Sequence, residues 1–141
     1  MRIHHVMIAV AVVTSLAIPT MASAEDAPRK IDFTQKLIGR DGKPFSECEQ
    51  VDEHDRTKCT KQVELTLGWL AAAALDLAKP GMAQPEKTRR GRLAYRVFDA
   101  KDIELTVPEI NTIIDALGDL NYRNTAIAAA VGILDPASAK K

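Results

Sequence analysis

The chain has 141 residues, 46% of them hydrophobic and 27% charged, which is enough apolar material for the core of one ordinary domain. Only 4% of the residues are aromatic, so the core is expected to be aliphatic. The 19 basic and 19 acidic residues balance, which argues against the positive surface by which proteins bind nucleic acid or anionic membranes. No nucleic-acid partner is therefore predicted.

Residues 1–24 have the three parts of a secretory signal peptide: a basic start, an apolar run from Val6 to Ile18, and an Ala-Ser-Ala ending. Cleavage is expected between Ala24 and Glu25. The apolar run is shorter than the roughly 20 residues needed to cross a bilayer, so no stable membrane anchor is predicted after cleavage. We expect a periplasmic or secreted protein. A retained anchor and a buried N-terminal core helix are the alternatives.

An antiparallel β-ribbon is predicted at the start of the mature chain. Residues 25–30 are polar and are predicted to form a flexible leader. A period-two alternation begins at Ile31 and predicts a half-buried strand, followed by a turn at Asp41-Gly42. Residues 62–66 alternate again and are predicted to pair with that first strand. Residues 31–66 would then form a ribbon whose connection is a cysteine-containing loop.

Cys48 and Cys59 are the only cysteines. An even number of cysteines in an exported protein predicts a disulfide, which would stabilise the fold by about 3 kcal/mol through loop closure. Two free thiols are one alternative. A metal site formed by both cysteines and His54 is another, although their spacing lacks the short pairs typical of structural zinc sites. His54 is otherwise expected to be a solvated surface residue, and we predict no metal and no cofactor.

Four helices are predicted in residues 67–135. The first runs from Leu67 to Ala78 behind an N-cap at Thr66, with Leu77 on its inward face. Trp69 on this helix is a candidate ligand platform, or else a core or rim residue. The second helix opens at Pro85-Glu86. Its apolar face is predicted to be formed by Leu93, Ala94, Val97 and Phe98.

The third helix has the strongest signals. Thr106 and Glu109 have the spacing of a capping box, Pro108 lies in the first turn, and Leu105 can form a hydrophobic staple with the first residue of the apolar stripe. Gly118 is predicted to end the helix in the left-handed conformation. The stripe is formed by Ile110, Ile113, Ile114 and Leu117.

The last helix is predicted from Tyr122 to Leu134, with Tyr122, Ala126 and Leu134 facing inward. Asp135-Pro136 would stop it, and residues 136–141 are predicted to form a disordered tail. The predicted fold is therefore α+β: a short N-terminal antiparallel β-ribbon followed by a bundle of about four α-helices, together one globular domain over residues 31–135.

The concentrated charge of the mature chain lies at the start of the second helix, in Lys87, Arg89, Arg90 and Arg92. This cluster is a candidate interaction patch for an acidic partner or a phosphate. The alternative is a solvated helix face balanced by nearby acidic residues.

A set of short motifs resembles a group of small proteins encoded in tailed phages and prophages. The resemblance covers about residues 31–135 and implies a ribbon-plus-helices domain connected with particle assembly, without catalytic residues. Two features differ from that group: the export signal and the insertion between the cysteines. The motifs are Asp32-Phe33-Thr34 with Leu37, Asp41-Gly42-Lys43-Pro44, Leu65-Thr66-Leu67-Gly68, Leu93-Ala94, Val97-Phe98-Asp99-Ala100, Ile103-Glu104-Leu105-Thr106 and Glu109-Ile110.

No nucleophile elbow, zinc-protease motif, phosphate-binding loop or paired-carboxylate motif is present in the sequence. We therefore expect an exported, non-enzymatic module that binds a protein partner through its helical face or its ribbon edge. One alternative is an accessory role in phage or prophage particle assembly. The other is a metal-binding or enzymatic protein centred on the Cys48–Cys59 loop.

Overall fold

The computed structural model describes residues 27–137. The predicted signal peptide, its cleavage point between Ala24 and Glu25, and the end of the predicted tail lie outside the described residues. Over residues 27–137 the protein is α+β, with four helices and two antiparallel two-stranded sheets. In chain order the elements are β1 (Arg29–Ile31), β2 (Ser46–Val51), β3 (Cys59–Glu64), α1 (Leu67–Asp76), α2 (Gln84–Val97), β4 (Ile103–Leu105), α3 (Val107–Asp119) and α4 (Asn124–Leu134).

Helix α3 begins as predicted. The Thr106 hydroxyl accepts the Glu109 N–H at 3.4 Å, and the Glu109 carboxylate accepts the Thr106 N–H at 2.9 Å, so both halves of the capping box are formed. The prediction for Gly118 is wrong, because the helix continues through it to Asp119, and Leu120 is the C-cap. The Leu120 N–H donates to the Leu117 carbonyl at 3.2 Å, which satisfies a terminal carbonyl without a left-handed residue.

The strand pairing differs from the prediction. The strand nearest the N-terminus is short, and β1 pairs with β4, placing Arg29 opposite Leu105. Arg29 and Lys30 thus belong to a strand, although they were predicted to end a flexible leader. The longer ribbon is formed by β2 and β3. Strand β2 and residues 59–61 come from the predicted loop, whereas residues 62–64 belong to the predicted second strand, which pairs with β2 instead of with residues 31–38. Most of their side chains are exposed, so β2 and the first half of β3 lack the apolar alternation by which a strand is found in a sequence.

The predicted pairing between residues near 31–38 and 62–66 survives only as a short junction. Lys36 bridges Thr66, and the Leu37 N–H donates to the Leu65 carbonyl at 2.9 Å. Phe45 completes the junction, because its N–H donates to Leu37 and its carbonyl accepts from Leu65. Leu37 and Leu65 are buried, so this junction fastens the base of the ribbon to the core.

Gly68, in the first turn of α1, lies against the backbone of two other segments. Its N–H donates to the Phe33 carbonyl at 2.8 Å. A Cβ at this position would lie 2.8 Å from the Val97 carbonyl oxygen and 3.0 Å from that of Phe33. The absence of a side chain therefore lets the start of α1 contact both the end of α2 and the segment that follows β1.

Leu77 and Phe98 were predicted to face the core, and both predictions are wrong: their exposed fractions are 41% and 51%. Helix α1 ends at Asp76 and α2 ends at Val97, so each helix stops before the last apolar residue of its predicted face. Each of these residues is the C-cap of its helix and has an extended backbone conformation. Its side chain consequently leaves the face that the helical spacing would have given it.

Helix α4 packs against α1 and α3. It starts at Asn124 rather than Tyr122, and Ala126 and Leu134 are buried as predicted. Among the buried hydrophobic residues of the described chain, Phe33 is the one aromatic, so the core is aliphatic as expected. No helix within residues 27–137 has the length and apolar character needed to cross a bilayer.

Candidate functional site

The basic cluster predicted as an interaction patch is divided by the structure. Arg89 and Arg92 line an open groove beside α2. Lys87 lies at a different, smaller pocket with residues from the end of α1. Arg90 is largely buried, with 12% of its side chain exposed. Because a helix repeats every 3.6 residues, Lys87 and Arg90 face away from Arg89 and Arg92, so the four residues do not form a single surface.

The groove has a volume of about 730 Å³. Arg89, Arg92 and Arg96 follow one another along one face of α2 at the spacing i, i+3, i+7. Leu93 and Pro85 are the apolar residues that line the groove. We call this set of residues the arginine groove; its remaining members are Gln84, Thr88 and Glu109. Arg96 was not included in the predicted patch, although the helical spacing from Arg89 and Arg92 could have identified it.

Two of the three arginines on this face of α2 form ion pairs. The Arg89 Nε and Nη2 atoms donate to the two carboxylate oxygens of Glu86, at 2.9 and 3.0 Å. Hydrogen bonds from Arg89 and Arg90 hold the pKa of the Glu86 carboxyl below its usual value. Arg96 pairs with Glu109 of α3. Within residues 27–137, Arg92 has no ion-pair partner. Among the three arginines of the groove it is therefore the one whose charge is not balanced by a carboxylate.

A second surface exposes aromatic side chains. Tyr95 is 90% exposed and Phe98 is 51% exposed. Together with Ala72, Ala94 and Asp76 they surround a shallow pocket of about 240 Å³ between α1 and α2. We call these five residues the aromatic surface. Sequence analysis placed Phe98 in the core and made no prediction for Tyr95, because a residue's exposure depends on how the two helices pack.

Trp69 is a rim residue. It is 40% exposed, and its ring is tilted by 53° against the ring of Tyr122, with the centroids 6.4 Å apart. The Tyr122 hydroxyl donates to the Glu47 carboxylate of β2, and Arg123 lies 3.4 Å from the same carboxylate. This contact joins the ribbon to the helical part. Burial and the neighbouring carboxylate raise the pKa of Tyr122 to about 12.

The sulfur atoms of Cys48 and Cys59 lie at disulfide-bonding distance, with their Cα atoms 5.7 Å apart. The two residues are not opposite each other in the ladder, which has register shifts near Gln50. His54 is exposed, and its backbone N–H donates to the Asp52 carboxylate at 2.8 Å. In the part of the chain that the structure describes, no group of three or more His, Cys, Asp or Glu side chains is arranged to hold a metal ion.

Comparison of the chain with protein-family models, with curated proteins and with solved structures gave no match.

Proposed function

We propose that this chain is an exported, non-enzymatic protein-interaction module whose partner binds the aromatic surface. The observation that carries the proposal is the exposure of Tyr95 and Phe98 in a protein that has only six aromatic residues. Burying a large apolar side chain stabilises a protein or complex by roughly 1.5–3 kcal/mol, and an exposed ring does not contribute this free energy. Aromatic side chains are enriched in the buried centres of protein interfaces, where they supply much of the binding energy.

The surroundings of these two rings support the same function. Ala72 and Ala94 are nearly buried and line the pocket with the two rings, and the exposed Asp76 adds a charged residue to its edge. An apolar centre with a polar edge is the usual arrangement of a protein-binding surface. The volume of the shallow pocket lies slightly below the range of about 300–1,000 Å³ of typical small-molecule sites.

Export is supported by the signal-like N-terminus and by the paired cysteines. The β2–β3 ribbon buries few side chains of its own, and an isolated two-stranded ribbon is only marginally stable in water. A covalent link between Cys48 and Cys59 would compensate for this, and such links persist in oxidising compartments. We therefore infer a periplasmic or secreted protein in which a disulfide-linked ribbon and a four-helix bundle form one domain over residues 31–135.

Site-specific photo-crosslinking in the cells that encode this chain tests the proposed binding surface. A benzophenone amino acid replaces Tyr95 in one variant and Arg56 in a control variant, since Arg56 is exposed in the β2–β3 turn and lies outside the aromatic surface. We expect a discrete protein adduct from position 95 alone, and we expect Phe98→Glu to abolish it. The absence of an adduct at position 95, or equal adducts at both positions, would contradict the proposal.

The intact mass of the chain from periplasmic and cytoplasmic fractions, before and after reduction and alkylation, tests export. We expect a periplasmic chain that begins at Glu25 and gains two alkyl groups only after reduction. A full-length cytoplasmic chain with two free thiols would contradict export and would favour the accessory role in particle assembly.

A further inference from the structure

We propose that the arginine groove is a docking site for an acidic, extended segment of a protein partner, in which carboxylate side chains alternate with apolar ones. This inference rests on the proposed function as a protein-interaction module, but it concerns a different surface from the aromatic one. It assigns the groove a ligand chemistry through charge complementarity, since three arginines line the groove.

The spacing of the arginines fits such a segment. Arg89 and Arg96 are seven residues apart on α2, a rise of about 10 Å along the helix axis. In an extended chain, side chains on one face recur about every 6.7 Å. Two carboxylates two residues apart can therefore both lie between the first and last guanidinium groups, with Arg92 between them.

Two of the three arginines are held by carboxylates of the protein itself. Glu86 holds Arg89 and Glu109 holds Arg96, so two of the three guanidinium groups are already ordered in the free protein. Side chains that are ordered before binding lose less entropy when a ligand arrives. Arg92 has no carboxylate partner within the described residues. Its planar guanidinium can donate two parallel hydrogen bonds to an incoming carboxylate.

The other residues of the groove favour a peptide over a nucleic acid. Pro85 is exposed in the groove and can contact an aliphatic stem, and within residues 27–137 no aromatic ring lines the groove on which a base could stack. The balanced charge of the whole chain gives no long-range attraction for a polyanion.

Fluorescence anisotropy with defined probes tests this inference. The probes are a labelled octapeptide of alternating Glu and Leu, its Gln-Leu counterpart, and a labelled single-stranded oligonucleotide. We expect the Glu-Leu peptide to bind the mature protein, with an affinity that falls as salt is added. Arg92→Gln should weaken binding about tenfold, the loss expected when a charge-assisted pair is removed. The matched control Arg56→Gln should leave the affinity unchanged.

Three results would overturn the inference: equal binding of the Gln-Leu peptide, equal affinities of Arg92→Gln and Arg56→Gln, or tighter Arg92-dependent binding of the oligonucleotide. Far-UV circular dichroism of each variant verifies that it is folded. If peptide binding fails while the position-95 adduct persists, only this inference is lost. If the adduct fails while the peptide binds through Arg92, the aromatic surface is the incorrect assignment.

Discussion

Replacing Gly68 by alanine is expected to destabilise the protein, although the same change normally stabilises a helix. An added Cβ would lie 2.8 Å from the Val97 carbonyl oxygen, 3.0 Å from that of Phe33 and 3.1 Å from the Asp99 nitrogen. All three atoms belong to backbone, so relief requires the segments themselves to separate. Overpacking of this kind costs about 2 kcal/mol. Weakening the hydrogen bond from Gly68 to Phe33 destabilises the protein by about 1 kcal/mol more. The higher helix propensity of alanine stabilises it by about 1 kcal/mol.

The expected net loss for Gly68→Ala is therefore about 2 kcal/mol, a shift of roughly 1 M in the midpoint of urea unfolding. Gly91→Ala and Gly118→Ala are matched controls, because both residues lie within helices and an added Cβ would meet nothing within 4 Å. Each control should gain up to about 1 kcal/mol. Circular dichroism during urea titration measures all three. A Gly68→Ala variant as stable as the wild type would refute the packing argument.

Three further predictions follow from single contacts. Thr106→Ala removes the N-cap hydroxyl of α3 and should lower the free energy of unfolding by about 1 kcal/mol in the same urea assay; an unchanged midpoint would contradict it. Burial raises the pKa of Glu109, but hydrogen bonds, first from the Thr106 N–H, outweigh burial and leave that pKa below 4.5. The stability from this carboxylate is therefore present above pH 4.5 and is lost as the pH falls through the lowered pKa. Glu109→Gln should consequently show a smaller loss of stability on acidification than the wild type. The Tyr95→Phe variant leaves Tyr122 as the one tyrosine, so its ultraviolet titration should show a pKa of about 12. Because this pKa is raised, the contribution of Tyr122 to stability is complete below pH 10 and is lost as the pH rises towards 12.

The parts of the fold that were predicted correctly are those fixed by neighbours in sequence. The start of α3 depends on Thr106, Pro108 and Glu109, which lie within one helical turn. Helix ends were predicted less well, since Gly118 permits a left-handed conformation but does not require one. The positive φ angles of non-glycine residues occur instead at Asp99 and Asp102, in the link before β4.

Long-range pairing could not be predicted, because the sequence of a strand does not identify the strand with which it pairs. β1 pairs with β4 across more than 70 residues of chain, and both strands are only three residues long. The β2–β3 ribbon was missed for a different reason. Its side chains are exposed on both faces, so its sequence is as polar as that of a loop.

The arginine groove was predicted in part. Arg89 and Arg92 were identified because they are close together in sequence. Arg96 belongs with them because a helix repeats every 3.6 residues, and Arg90, although adjacent to Arg89, lies away from the groove. The contribution of Glu109 could not be predicted, since it depends on α3 packing beside α2.

Glu109 links the most regular part of the fold to the arginine groove. Its carboxylate accepts hydrogen bonds from both the N–H and the hydroxyl of Thr106 within the capping box, and it also pairs with Arg96. The position of that carboxylate, and hence of the Arg96 guanidinium, is set by the start of a helix that buries Ile110, Ile113 and Leu117. Arg92 has no such restraint within the described residues. A ligand would therefore meet a fixed charge at one end of the groove and an adaptable one at its middle, so Thr106→Ala should weaken peptide binding through Arg96 even though Thr106 does not line the groove.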